Sequence, residues 1–209
     1  MSLPLPPYRP TGDVVADKAH WRALVRTARR DLIAAWSPAD RPALARSLAE
    51  AGLTHLRRYA RGSARADVAG MTVTAYEPMR TEPPVDGLTA ALRGAGVRVL
   101  VPITFARPRL EWADLADPDR RPLGEDVLAE VDLAFVPGLA VSRDGVRLGQ
   151  GGGYYDTVLP RLRESSAGAP VVIVLHDHEV VPRVPAADHD AVVDAVLRPT
   201  SGVVPVPVR

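Results

Sequence analysis

A glycine-rich stretch carries the residue types in this chain best suited to holding an anion. Four glycines fall within five positions, at Gly149, Gly151, Gly152 and Gly153. Glycine allows successive backbone N–H groups to crowd together and point the same way, and the N-terminus of a following helix adds positive partial charge. Because a buried strand is predicted before the stretch and a helix after it, the pattern predicts a phosphate-binding turn. A flexible surface loop accounts for the glycines alone equally well.

The residues flanking the glycines add further groups that phosphate chemistry uses. Arg147 offers a guanidinium fork for phosphate oxygens, and Asp156 offers a hard oxygen that could meet Mg²⁺. Tyr154 and Tyr155 are predicted to lie at the mouth of the same turn. Two standard nucleotide motifs are excluded. Tyr154 stands where the dinucleotide-binding pattern requires its last glycine, and no lysine lies near for a P-loop.

A basic face on the first predicted helix, residues 13–36, is a second candidate for anion binding. Lys18 is the one lysine among 26 basic residues, and it supplies a compact point charge that a planar guanidinium does not mimic. Lys18 and Arg22 are one helical turn apart, so their side chains can converge on one anion. An ordinary solvated helix face is the alternative interpretation.

Two segments of the chain together match a known signature. Residues 135–140 read Phe-Val-Pro-Gly-Leu-Ala, and residues 144–156 read Asp-Gly-Val-Arg-Leu-Gly-Gln-Gly-Gly-Gly-Tyr-Tyr-Asp. They closely resemble the signature of the 5-formyltetrahydrofolate cyclo-ligases, also called methenyltetrahydrofolate synthetases. The resemblance implies a ligase that uses ATP and Mg²⁺ to cyclise 5-formyltetrahydrofolate to 5,10-methenyltetrahydrofolate, with release of ADP and phosphate.

The resemblance also implies roles for individual residues. Family members open with a similar Lys-x-x-x-Arg helix whose basic residues meet the ATP phosphates. Glu82 and Tyr154 are implied to lie near the folate and, with Arg147, to serve catalysis, whereas Asp156 is implied to hold Mg²⁺. A helix N-terminal charge favoured by the helix dipole is the alternative for Glu82. The implied ATP-binding set is Lys18, Arg22, Arg147, Gly149, Gln150, Gly151, Gly152, Gly153 and Tyr155.

Other functions remain open at this point. One is a diverged relative that binds nucleotide or folate without this activity, or that acts on another formylated amine. Three departures favour it: Gln150 stands where the family often has arginine, lysine or tyrosine, Ser142 stands where it commonly has aspartate, and residues 113–130 lack the usual Gly-x-x-Glu-Pro stretch. A sugar-phosphate isomerase or CoA-transferase can share this kind of sheet, although the glycine loop argues against both.

Composition bounds the partners and the location of the protein. The net charge of +1 gives no reason to expect nucleic acid or an anionic membrane, and the absence of cysteine excludes disulfides and thiol catalysis. No apolar run approaches the roughly 18–20 residues of a membrane span. Residues 1–12 form a proline-rich arm without a signal-peptide core. We therefore expect a cytoplasmic protein that acts on a small molecule as a monomer or weak homodimer.

Hydrophobic patterning predicts a single domain at residues 13–200, followed by a tail at 201–209. Its fold class is α/β, with a mainly parallel sheet flanked by helices on both faces in a Rossmann-like three-layer sandwich. Loops at the carboxyl ends of such strands build the binding crevice, and one of them carries Glu82. His176 and His178 are interpreted as turn residues rather than as a metal pair, and His189 with Asp190 as architectural. The predicted helices are 13–36, 37–61, 85–93 and 154–163, and the predicted strands are 71–76, 97–103, 105–112, 132–136, 171–175 and 191–197.

Overall fold

A computed structural model of the 209-residue chain describes residues 5–104, 110–124, 126–165, 168–187 and 190–207, without the side chains of residues 104 and 165. The helices are α1 (Val14–Ala34), α2 (Asp40–Gly62), α3 (Asp86–Gly94) and α4 (Tyr154–Ser165). The strands are β1 (Thr72–Thr74), β2 (Arg98–Thr104), β3 (Leu110–Asp114), β4 (Leu133–Pro137), β5 (Ala140–Ser142), β6 (Arg147–Leu148), β7 (Val171–Val174), β8 (Val180–Val181), β9 (Ala195–Arg198) and β10 (Gly202–Pro205).

A seven-stranded sheet forms the middle layer, in the order β10-β9-β7-β4-β1-β2-β3. The neighbours from β9 to β2 pair in parallel, and β3 and β10 add antiparallel edges. Alternate side chains of the strands face opposite layers. In β4, Phe135 packs with the helices α2 and α3, whereas Ala134 and Val136 pack with α4. The predicted α/β class with helices on both faces is confirmed.

Helix α1 lies outside these layers and packs on a second, smaller sheet with the order β6-β5-β8. Its start is fixed by Asp13, whose carboxylate accepts hydrogen bonds from the first free N–H groups of the helix. Trp21 and Val25, one turn apart, are buried against Leu139 and Leu148 of the small sheet and its approach. The small sheet was not predicted. It places α1 directly beside the end of β6, where the glycine loop begins.

The described parts of the N-terminal arm and of the C-terminal tail are more structured than the sequence indicates. Residues 202–205, which were assigned to the tail, form the edge strand β10 beside β9. In the arm, the Tyr8 ring meets Trp21 edge-on at 5.8 Å, and the Tyr8 hydroxyl donates to the Asp17 carboxylate at 2.8 Å. Part of the strand predicted at 105–112 lies outside the described residues, and β3 begins at Leu110.

Candidate functional site

The glycine loop connects β6 to α4 rather than following the buried strand β4 directly. The β5–β6 hairpin, which turns at Gly145, lies between them. Within the loop, Gly151 has φ of +95°, in the region that side-chain-bearing residues rarely adopt. The sequence places glycine here because the backbone must turn sharply between a short strand and the first turn of α4.

A cavity of about 170 Å³ opens at this loop. Its walls combine cations from α1 and β6, main chain of the glycine loop, and two carboxylates. The lining residues are Lys18, Arg22, Arg147, Leu148, Gly149, Gly151, Gly153, Asp156 and Asp190. Most of the phosphate-binding set implied by the sequence is thus gathered at one place.

The cations from α1 reach the loop from one helix face. Lys18 Nζ lies 2.6 Å from a carboxylate oxygen of Asp190, and Arg22 Nε donates to the Gly149 carbonyl at 3.0 Å. One turn further, Arg26 donates to the Gln150 carbonyl at 2.7 Å. Burial, followed by the nearby charge of Arg26, lowers the pKa of Arg22.

Arg147 lies at the floor of the cavity. One of its terminal nitrogens donates to Asp156 at 2.6 Å and the other to the Pro137 carbonyl at 3.3 Å. The Arg147 side chain is buried, but that of Asp156 is 42% exposed. The Arg147 Nε is buried and has no hydrogen-bond partner among the described residues. A guanidinium held in this way presents a fixed charge to whatever enters the cavity.

The two tyrosines of the loop do not line this cavity. Tyr155 faces inward, with the Arg147 guanidinium 5.6 Å from its ring centroid. Its hydroxyl is buried without a hydrogen-bond partner in the described part of the chain, and burial raises the pKa of Tyr155 above 10.0. Tyr154 is half-buried, and its ring would lie 2.7 Å from a side chain added at Gly152. Tyr155 is therefore placed to support Arg147 from the core rather than at the mouth of the turn.

Glu82 lies close to the loop although it is 68 positions earlier in the chain. Its carboxylate is only 3% exposed. One oxygen accepts from the Met79 N–H at 3.0 Å, and the other accepts from the side-chain amide of Gln150 at 2.9 Å. Gln150 thus joins the glycine loop to the carboxylate for which the family resemblance implies a place near the folate.

A buried ion pair beside the site was not found from the sequence. Arg29 donates to both carboxylate oxygens of Glu179, at 2.6 and 2.9 Å, and to the Gly138 carbonyl at 2.7 Å. Glu179 also accepts from the His176 N–H, and His176 Nε2 lies 3.1 Å from the Thr81 carbonyl. The sequence signal that could have identified Arg29 as buried is its spacing, because it lies four positions after Val25, which is itself four positions after Trp21, on the buried face of α1.

Asp190 was interpreted as architectural and instead lines the cavity. Its predicted partner His189 lies outside the described residues. Asp156 and Asp190 therefore offer two carboxylates to one space. Among the residues the structure covers, no group of three or more histidines, cysteines, aspartates or glutamates could hold a metal alone. His176 and His178 stack with centroids 6.1 Å apart and gain no third ligand there. In the same residues no helix has the length and apolarity to cross a membrane.

Comparison with known proteins gives consistent matches. The model of the 5-formyltetrahydrofolate cyclo-ligase family matches residues 17–199. A 5-formyltetrahydrofolate cyclo-ligase of Mycolicibacterium smegmatis is 34% identical over 155 residues, which cover 66% of this chain and 78% of that protein. The mouse protein of the same name is 37% identical over 93 residues, or 43% of this chain and 45% of that protein.

Two solved structures share the fold. A 5,10-methenyltetrahydrofolate synthetase from Mycoplasma pneumoniae superposes with a TM-score of 0.66 at 20% identity, covering 86% of this chain and 97% of that one. The synthetase of Aquifex aeolicus gives 0.64 at 21% identity, covering 90% and 92%. At this identity the likeness concerns the fold.

Proposed function

The chain belongs to the 5-formyltetrahydrofolate cyclo-ligase family and is a ligase, and we propose that its glycine-loop cavity binds the terminal phosphates of ATP during cyclisation of 5-formyltetrahydrofolate. The product is 5,10-methenyltetrahydrofolate, and ADP and phosphate are released. The observation that best supports the location is the meeting of Lys18, Arg22 and Arg147 with three loop glycines around one cavity.

The reaction requires that the formyl oxygen be converted into a good leaving group. Water cannot leave readily from a formamide, so transfer of the γ-phosphoryl group to the formyl oxygen creates a phosphate leaving group on an iminium-like carbon. The neighbouring N10 amine attacks that carbon and forms the C–N bond that closes the five-membered ring. N10 loses its proton to solvent, and the C–O bond breaks with departure of phosphate. Such phosphoryl transfer needs mainly positioning and charge neutralisation from the protein.

The cavity residues suit those two tasks. Backbone N–H groups of Gly149, Gly151 and Gly153 can donate to phosphate oxygens, and the N-terminus of α4 adds positive partial charge. Lys18 and Arg22 bring compact and planar cations from α1. Gly152 and the backbone of Gln150 complete the loop in this proposal.

Arg147 is proposed to stabilise the charge that develops on the transferred phosphoryl group. Its guanidinium is already fixed by Asp156 and by the Pro137 carbonyl, so little reorganisation is needed as charge develops. Tyr155 contributes by packing against this guanidinium. Tyr154 and Glu82 are proposed to meet the folate.

The two cavity carboxylates fit a nucleotide-bound magnesium ion. Mg²⁺ usually takes one or two protein carboxylates and completes its shell with phosphate oxygens and water. Asp156 is paired with Arg147, and Asp190 is paired with Lys18. Because phosphates would bind the same two cations, the phosphate oxygens and the two carboxylates can lie close together. When bound, the ion supplies neutralisation of charge on the phosphate oxygens.

The test is direct. Purified protein is mixed with Mg-ATP and 5-formyltetrahydrofolate, and methenyl absorbance is followed together with ADP. We expect both products in equal amounts, and an absence of both would reject the proposal. ADP formed only with another formylated amine would identify the diverged relative instead. The proposal includes a cytoplasmic location and a monomeric or weakly dimeric state, which fractionation and sedimentation would measure.

A further inference from the structure

Gln150 contacts both halves of the proposed site. Its side-chain Nε2 donates to Glu82 at 2.9 Å, and its main-chain carbonyl accepts from Arg26 of α1 at 2.7 Å. The residues on either side of it, Gly149 and Gly151, line the phosphate cavity. One residue therefore links the backbone that would hold phosphate to a buried carboxylate on the substrate side.

The geometry gives Glu82 one orientation. Both of its oxygens accept hydrogen bonds, from Met79 and from Gln150, and the carboxylate is almost fully buried. A carboxylate oxygen can accept more than one hydrogen bond, so capacity remains for a donor on a substrate. Because the Gln150 amide is neutral, it fixes the direction of the carboxylate without cancelling its charge.

Helix α1 holds the loop in the conformation that makes this bond. Arg22 binds the carbonyl of Gly149, and Arg26 binds the next carbonyl, that of Gln150. Two successive peptide groups are thereby fixed from one helix face. Any ligand that orders this backbone would also order the Gln150 side chain and, through it, Glu82.

We infer that Gln150 is a positioning residue that orients Glu82 and makes binding of nucleotide and of the reduced folate mutually reinforcing. The inference rests on the proposed function of the site. The Gln150 bond ties the loop conformation that would bind phosphate to the carboxylate orientation that would meet the folate, so a ligand that stabilises either one also stabilises the other. Thermodynamic linkage requires the two effects to be equal in size.

The experiment measures the affinity for 5-formyltetrahydrofolate with and without a non-hydrolysable ATP analogue. For the unmodified protein we expect at least a roughly fivefold gain in affinity when the analogue is present. In Gln150→Leu the gain should fall to near one. The folate KM should rise and kcat should fall, so that kcat/KM decreases by about 10- to 100-fold in total, as expected for loss of a hydrogen bond to a charged group.

Two further variants separate positioning from a general loss of structure. In Gln150→Arg, a guanidinium can again donate to Glu82, so the coupling should return. Arg26→Gln should reduce the coupling because the Gln150 carbonyl loses the hydrogen bond from the Arg26 guanidinium. Arg30→Gln is the matched control, since Arg30 is exposed on the same helix and donates to Thr27. It should leave the coupling unchanged.

The outcomes distinguish this inference from the function on which it rests. If the unmodified enzyme forms methenyl product and ADP but Gln150→Leu keeps the full coupling, Gln150 does not position Glu82. Equal coupling loss in Arg30→Gln would also overturn the inference, because a nonspecific effect of charge removal would then explain it. If the unmodified enzyme forms neither product, the proposed function itself fails and the inference falls with it.

Discussion

Breaking the buried pair between Arg29 and Glu179 should destabilise the protein more than any change at a surface ion pair. The two side chains are 1% and 0% exposed, and the pair is bidentate. Burial acts to lower the pKa of Arg29, but the Glu179 carboxylate outweighs it and raises that pKa. Both charges therefore persist in the core, where either would be costly if left alone.

The magnitude follows from which group is left unpaired. Among the residues that the structure describes, Arg29→Met leaves a buried carboxylate with the His176 N–H as its one donor, and Glu179→Gln leaves a guanidinium bound to neutral acceptors. Removing one member of a buried pair costs about 3–5 kcal/mol. For a chain of this size that corresponds to a fall in Tm of roughly 6–20 °C. In the double variant Arg29→Met/Glu179→Gln no charge remains, so its cost should be well below the sum.

Urea unfolding of the unmodified protein, the two single variants and the double variant gives the coupling energy between Arg29 and Glu179 directly. The control is Arg121→Gln, because Arg121 and its partner Asp119 are 74% and 62% exposed and such pairs contribute less than about 1 kcal/mol. Additive single costs in the double variant would refute the reasoning. So would a cost for Arg29→Met no larger than that of the surface control.

Three further outcomes are expected. Lys18→Ala should weaken ATP binding by about 10- to 100-fold, less at high salt, while the protein stays folded with a lowered Tm, because Asp190 loses its partner; an unchanged affinity in titration calorimetry would remove Lys18 from the site. Gly149→Ala places a Cβ 2.9 Å from a guanidinium nitrogen of Arg147, so Arg147 must move and the same titration should show weaker ATP binding. Burial lowers the pKa values of His176 and His178 below 6.5, so the unfolded chain binds more protons in acid. The free energy of unfolding should therefore be highest above pH 6.5 and should decrease as the pH falls below that value. Urea unfolding curves that do not change between about pH 7.5 and about pH 5.5 would contradict this.

Patterns that are local in sequence predicted most of the architecture. Trp21 and Val25 repeat at helical spacing and predicted α1, and the apolar run at 97–103 predicted the central strand β2. The small sheet was missed because β5, β6 and β8 have two or three residues each, too few to show a period. Residues 201–209 read as a tail because their valines alternate with prolines, although one edge strand forms there.

In the candidate site, too, local patterns predicted some residues, whereas contacts between distant positions were missed. The glycine loop and the Lys18–Arg22 spacing are contiguous signals, so their residues could be selected from the chain alone. The contact between Lys18 and Asp190 joins positions 172 apart, and nothing local marks Asp190 as its partner. The family resemblance implies that Gln150 binds ATP and marks it as a departure from the family pattern, but it does not indicate a contact with Glu82. Its bond to Glu82 joins positions 68 apart, and no short pattern in the sequence indicates such a contact.

The hydrogen bonds of α1 explain why this helix can serve the site while it stands apart from the main layers. Its basic residues at 18, 22, 26 and 29 recur at spacings of four and three, so they follow one face of the helix. Lys18 and Arg29 meet carboxylates, whereas Arg22 and Arg26 donate to loop carbonyls. A carbonyl satisfies a guanidinium hydrogen bond without cancelling its charge. The face of α1 turned to the loop thus retains positive charge after its hydrogen bonds are made, and a bound polyphosphate is the kind of ligand that would neutralise it.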